Sequence, residues 1–99
     1  VYQPLPRFPP IERDLAIVLD EQVPAGRVAD EIRTVAPELV DNVRLFDVYT
    51  GDQVEAGKRS LAFSLRLRSP DRTLEDRDAE VVVERVLQRL ETSFQARLR

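Results

Sequence analysis

Apolar and polar residues alternate in three segments of the chain, and this alternation predicts three β-strands. The segments are residues 14–20, residues 43–49 and the residues that follow Gly57. Because side chains of a strand point alternately to the two faces of a sheet, one set from each strand is expected to enter the core. In the first and third strands this inward set is Leu15, Ile17, Leu19, Leu61, Phe63, Leu65 and Leu67.

Strict alternation in the second strand divides its side chains between the two faces of the sheet. The two sets are Val43, Leu45, Asp47 and Tyr49, and Arg44, Phe46 and Val48. We expect Phe46 and Val48 to point towards the core, which leaves Asp47 and Tyr49 on the opposite face. Residues 50–57 contain two glycines and two acids, and this composition predicts an open hairpin loop before the third strand.

Apolar residues at spacings of three and four predict two amphipathic helices. The first follows Pro24, which suits a first helical turn, and Pro37 ends it. The second is expected to begin at Thr73, because Thr73 and Asp76 have the spacing of a capping box. Residues 96–99 are compatible with a last helical turn or with a short final strand, and we expect the strand.

The resulting order, β-α-β-β-α-β, predicts an α+β fold of the ferredoxin-like split β-α-β type, with two helices on one face of an antiparallel sheet. The other face of such an RRM-like sheet is left to solvent and is a candidate binding platform. Four of the first ten residues are proline. We therefore interpret residues 1–7 as a linker from a preceding domain and residues 8–99 as a single domain.

Composition excludes several classes of chemistry. The chain has no Cys and no His, which removes disulfides, thiolate nucleophiles, imidazole bases and most zinc or iron sites. A net charge of −3 argues against a nucleic-acid partner. Residues 58–72, however, carry five basic side chains against one acid, a local charge of +4. Apolar runs are too short to cross a bilayer, so we expect a soluble, cytoplasmic protein without membrane contact.

The open face is expected to carry residue types that single-stranded RNA requires. These are Asp47, Tyr49, Ser60, Ala62, Ser64, Arg66 and Arg68. An aromatic ring can stack a base, carboxylate and hydroxyl groups can read its edge, and arginines can hold phosphates. The same residues are also compatible with ordinary surface packing: Tyr49 suits a half-buried strand, and Asp47 could pair with Arg44 or Arg66.

Four segments resemble, in order and spacing, the motifs of the ferredoxin-fold anticodon-binding (FDX-ACB) domain of bacterial phenylalanine–tRNA ligase β subunits. They are residues 13–16, 45–51, 57–63 and 72–76, and the resemblance extends over about residues 5–99. It implies a non-catalytic domain that binds the anticodon loop of the phenylalanine tRNA, with the first anticodon base stacked on Tyr49. Asp47, Ser60 and Ala62 match the family's other contacts with that base. Charge and facing add Arg66 and Arg68 as candidate phosphate contacts.

The resemblance also implies partners that lie outside these residues. They are the rest of the β subunit and a catalytic α subunit that uses ATP and magnesium, with no cofactor or metal in this domain. The isolated domain is expected to be monomeric. A single-chain organellar enzyme carries a similar domain and remains an alternative parent.

Other functions are also compatible with this fold. An acylphosphatase-like hydrolase would need a phosphate-binding loop after the first strand, where Asp20 and Glu21 instead repel phosphate. Asp76 and Asp78 could form an acid/base or metal pair, although helix capping explains acids in a first turn. A regulatory domain that senses amino acids and a protein-docking domain remain the alternative binding functions.

Overall fold

The computed structural model describes residues 8–99, so the predicted linker over residues 1–7 lies outside the described residues. Its elements are β1 (Ile11–Asp20), α1 (Ala25–Val35), β2 (Val40–Tyr49), β3 (Lys58–Leu67), α2 (Asp76–Phe94) and β4 (Arg97–Leu98). This order confirms the predicted β-α-β-β-α-β fold. β1 begins three residues earlier than the alternation predicts, and the short final strand forms as expected.

The four strands form one antiparallel sheet in the order β2-β3-β1-β4. β1 and β3 are the central strands, and β2 and β4 are the edges. Both helices pack on the same side of the sheet and share one hydrophobic core with it. The opposite face carries neither helix, and we call it the open face.

The inward residues predicted for β1 and β3 are all buried, so the alternation in these strands is confirmed. They pack against α1 through Val28 and Ile32 and against α2 through an apolar stripe. Burial of each large apolar side chain contributes about 1.5–3 kcal/mol. This core fixes the register of the central strands and thereby the positions of the residues on the open face.

The strict alternation predicted for β2 is wrong, because β2 contains a bulge. Leu45 lies opposite Phe63 and Asp47 lies opposite Ala62, so Phe46 has no residue opposite it. A bulge adds one residue to a strand and shifts the alternation beyond it. Val43 is therefore buried on the helical side, although alternation had grouped it with Asp47.

Phe46 does not enter the core, contrary to our expectation. Its side chain is 46% exposed, and the guanidinium of Arg44 lies over its ring at 5.8 Å from the centroid. Val48 lies opposite the inward residue Leu61, as predicted, but on an edge strand it remains 48% exposed. Asp47 and Tyr49 nevertheless lie on the open face, because the bulge precedes them.

The first helix ends before Pro37 as predicted, whereas the start predicted for the second helix is wrong. α2 begins at Asp76 with Glu75 as its N-cap, not at Thr73. The carboxylate of Asp78 accepts a hydrogen bond from the backbone N–H of Glu75 at 2.8 Å. The capping pair is therefore Glu75 and Asp78, since it is Asp78 that reaches back to the first free N–H. Neither helix within residues 8–99 has the length and apolarity needed to span a membrane.

Candidate nucleic-acid interface

The strand register arranges the open face as four rows of side chains across the sheet. Residues directly opposite one another on paired strands share a face. From the β2 edge inward, the rows are Tyr49, Ser60, Val18 and Arg97; Asp47, Ala62 and Ala16; Arg44, Ser64 and Asp14; and Asn42, Arg66 and Glu12.

The first two rows bring together four of the six predicted site residues. Tyr49 lies opposite Ser60, and Asp47 lies opposite Ala62, at the end of the sheet next to the loop between β2 and β3. We call these four residues the Tyr49 patch. The patch combines an aromatic ring, a carboxylate, a hydroxyl and a small side chain. Such a set can stack a base and read its edge.

Asp47 is exposed, and within residues 8–99 its carboxylate has no hydrogen bond or ion pair to another side chain. Arg44 and Arg66, the two cations that the sequence suggested as its partners, do not pair with it. Arg44 lies over Phe46, and Arg66 lies near Glu12. The carboxylate of Asp47 is therefore available to accept hydrogen bonds from a ligand.

Arg66 and Arg68 lie at the other end of the open face and are not close to Tyr49. Arg66 is six residues from Ser60 along β3, which corresponds to about 20 Å. Its Nε lies 3.7 Å from Glu12, and Nη1 of Arg68 lies 4.0 Å from Asp41. A phosphate would have to compete with these carboxylates. Their role in binding phosphate remains a prediction.

The ring of Tyr49 lies beside Gly51, a glycine to which we assigned no role from the sequence. Gly51 has φ +152°, a conformation that side chains disfavour. A Cβ at this position would lie 2.8 Å from Oη of Tyr49 and 3.1 Å from its Cζ. Glycine at position 51 therefore leaves space for the phenol. A side chain at position 51 would collide with the phenol of Tyr49 and would strain the backbone, which explains why this motif contains a glycine.

Arg99 is a second residue that sequence analysis did not connect with the site. Its backbone N–H donates to the carbonyl of Ala16 at 2.9 Å, which continues the pairing of β4 with β1. Its guanidinium lies over the ring of Tyr49, 4.7 Å from the centroid, a cation–π distance. The only sequence signal was the predicted final strand, and the strand order is needed to place it beside β1.

Asp76 and Asp78, considered above as a catalytic pair, each bind an arginine. Nη2 of Arg13 lies 2.7 Å from Asp76, and Arg72 donates to both oxygens of Asp78 at 2.8 and 2.9 Å. These hydrogen bonds, together with the N–H of Glu75, hold the pKa of Asp78 far below its usual range. The same contact raises the pKa of Arg72. Such a carboxylate is a poor proton carrier at neutral pH, and the two pairs explain Arg13 and Arg72 as structural residues.

Possible metal ligands are also sparse on this surface. Within residues 8–99, no group of three or more Asp or Glu side chains is placed to hold a metal ion.

A four-stranded antiparallel sheet with two helices on one side, and with an aromatic and polar patch on the other, defines a ferredoxin-like α+β domain with an open sheet face. Comparison with known sequences gives the same class. The model of the family described as the ferredoxin-fold anticodon binding domain matches residues 6–99. The chain belongs to this family.

Curated relatives carry the name phenylalanine–tRNA ligase β subunit. The protein of Geobacillus kaustophilus is 51% identical over 98 residues, that of Moorella thermoacetica 48% over 98 residues, and that of Coxiella burnetii 44% over 99 residues. Each alignment covers 99% of this chain and 12% of the relative. The chain thus spans about an eighth of the length of these relatives.

Proposed function

We propose that this chain is the anticodon-binding domain of a phenylalanine–tRNA ligase β subunit, and that it binds the anticodon loop of the phenylalanine tRNA on its open face. The observation that carries the proposal is the Tyr49 patch itself. It places an aromatic ring beside a carboxylate that has no side-chain partner within residues 8–99, on the sheet face that carries no helix. The family and the names of the relatives support the identity of the RNA.

In this proposal each residue of the Tyr49 patch has a distinct task. Tyr49 stacks the first anticodon base, and Asp47 accepts hydrogen bonds from the base edge. Ala62 lies opposite Asp47, and its small side chain lets the base approach the sheet. Ser60 supplies a hydroxyl to the same edge. Arg66 and Arg68 would contact phosphates farther along the RNA.

The domain itself carries out no catalysis in this proposal. Activation of phenylalanine with ATP and magnesium belongs to a catalytic α subunit in the cytoplasm, and the domain needs no cofactor of its own. Its contribution is to identify the tRNA. Because the chain has a net charge of −3, phosphate attraction alone provides little affinity. The remainder of the β subunit would raise the effective concentration of the anticodon loop at the patch.

The proposal is tested by fluorescence anisotropy at fixed low salt with two labelled RNA stem-loops. One has the phenylalanine anticodon, and the other has the same stem and loop length with a different first anticodon base. We expect tighter binding of the phenylalanine loop. Equal affinities for both loops would contradict anticodon recognition, and an amino-acid-sensing or docking function would then be the better explanation of this fold.

A further inference from the structure

The side chain of Arg99 extends over the open face from the β4 edge towards β2. Its backbone lies beside Ala16 on β1, while its guanidinium lies over Tyr49 on β2. Nη1 lies 3.4 Å from Oγ of Ser60, and Nη2 lies 3.4 Å from Oε1 of Gln53. Hydrogen bonds of this length are weak. The guanidinium is therefore positioned by several weak contacts, and none of them is charged.

The charge of Arg99 distinguishes it from the arginines at the other end of the open face. Within residues 8–99, no carboxylate of an Asp or Glu lies within ion-pair distance of Arg99, whereas Arg66 and Arg68 each have one. Residues 1–7 contain no acid that could neutralise it. Arg99 thus brings to the Tyr49 patch a guanidinium that forms no ion pair with an Asp or Glu side chain of residues 8–99.

Arg99 also covers groups that a base would need. It occupies one face of the Tyr49 ring, and Ser60 beneath it is only 2% exposed. A base that stacks on this face, or that reaches the hydroxyl of Ser60, requires the guanidinium to move. The guanidinium is long and flexible, and a phosphate offers it a bidentate, charged partner.

We propose that Arg99 is a further RNA-binding residue, which covers Tyr49 when no base is stacked there and moves to the phosphate of the nucleotide that takes its place. This inference rests on the proposed binding of RNA at the Tyr49 patch. In this proposal the guanidinium of Arg99 contacts the ring of Tyr49 in the free chain and a phosphate in the complex. The movement exposes the ring and the hydroxyl of Ser60 together, so stacking and edge recognition become available in the same step.

The test measures the salt dependence of stem-loop binding for the 99-residue chain and for Arg99→Ala. Each phosphate contact with single-stranded RNA contributes about 0.7 to the slope of log K against log salt concentration. We expect the slope of Arg99→Ala to be shallower by about this amount, with several-fold weaker binding at low salt. Arg85→Ala is the matched control, because Arg85 is exposed on the helical side and its loss removes the same charge.

The outcomes separate the inference from the proposed function. An unchanged slope for Arg99→Ala overturns the inference, and tighter binding with an unchanged slope shows that Arg99 only covers the ring. Equal flattening by Arg85→Ala also overturns it, because the effect would then be one of net charge. If the unsubstituted 99-residue chain binds neither stem-loop, even at concentrations high enough to offset the missing remainder of the β subunit, the proposed function fails and this inference fails with it.

A second measurement follows the movement directly. The side-chain N–H resonance of Arg99 is expected to be shifted by the ring current of Tyr49 in the free chain, and Tyr49→Leu should remove that shift. Addition of the phenylalanine stem-loop should also remove it and change the resonance to that of a phosphate-bound guanidinium. A resonance that keeps its ring-current shift at saturating RNA contradicts the movement.

Discussion

The two ends of the open face carry similar residue types in different electrostatic situations. At the Tyr49 end, Asp47 and Arg99 have no side-chain ion pair within residues 8–99, and the aromatic ring lies between β2 and the guanidinium of Arg99. At the other end, Arg66 and Arg68 lie near Glu12 and Asp41. Charged residues that already have partners must exchange them before they bind RNA. The comparison predicts that the proposed binding of RNA depends more on stacking and on the polar groups of the Tyr49 end than on the paired arginines.

Removal of the ring is expected to have the largest effect on binding. Tyr49→Ala should weaken binding of the phenylalanine stem-loop by about 1–3 kcal/mol, the contribution of one stacked base. The fold should be retained, because Tyr49 lies outside the buried core. Anisotropy titrations at fixed salt measure the change. Tyr49→Phe is the control, since it keeps the ring, and a parent-like affinity for Tyr49→Ala would place the base elsewhere.

Gly51→Ala should have the next largest effect, because it acts on the same ring indirectly. A methyl group at position 51 collides with the phenol of Tyr49 and strains the backbone at φ +152°. We expect several-fold weaker RNA binding and a loss of stability of about 1 kcal/mol or more, measured by titration and thermal unfolding. Gly26→Ala is the control, because a Cβ there meets nothing within 4 Å and should leave binding unchanged. A parent-like RNA affinity for Gly51→Ala would show that the position of the Tyr49 ring does not affect binding.

Removing the carboxylate that lies beside Arg66 should leave its guanidinium without an ion-pair partner, as in the case of Arg99 at the Tyr49 end. Glu12→Gln leaves the guanidinium of Arg66 without its carboxylate, 3.7 Å away. The exposed pair contributes at most about 1 kcal/mol, so the expected gain in RNA affinity is a few-fold, with a steeper salt dependence. The double variant with Arg66→Ala should lose that gain. No change in either variant would exclude Arg66 from the phosphate contacts.

Asp78→Asn should change stability without changing RNA binding, because Asp78 lies at the start of α2. The pKa of Asp78 is lowered in the folded chain, so its contribution to stability is present above the unfolded pKa of about 4 and is lost as the pH falls through the lower folded value. We expect a lower Tm than the parent at pH 7 and a difference that narrows below about pH 4. Glu84→Gln, an exposed change on the same helix, is the control. A difference in Tm that is independent of pH would contradict this linkage.

The sequence predicts the central part of the fold well, because burial there is decided by alternation alone. Leu61, Phe63, Leu65 and Leu67 lie on the helical side as the pattern indicates. The predictions of facing and of helix start fail where a local irregularity shifts the position of residues along the element. The bulge at Phe46 shifts the faces of β2, and Glu75 rather than Thr73 caps α2. Neither feature is visible in a pattern of period two or in a four-residue capping motif.

The sequence predicted only those residues of the candidate site that lie on the adjacent strands β2 and β3. Asp47, Tyr49, Ser60 and Ala62 follow from the hairpin of β2 and β3. Arg99 is on the patch only because β4 pairs with β1, and Gly51 matters only because of the direction of the phenol. These relationships depend on strand order and side-chain geometry. Periodicity along the chain contains neither.

The central claim is that the Tyr49 patch binds the first anticodon base. The most direct test is mapping of backbone amide shifts in the 99-residue chain, with the phenylalanine stem-loop and with the loop that differs at that base. We predict shifts concentrated on residues 47–49 and 60–62 and on Arg99 for the phenylalanine loop, with much smaller shifts for the other loop. Shifts confined to the helical side, or identical maps for both loops, would contradict the claim.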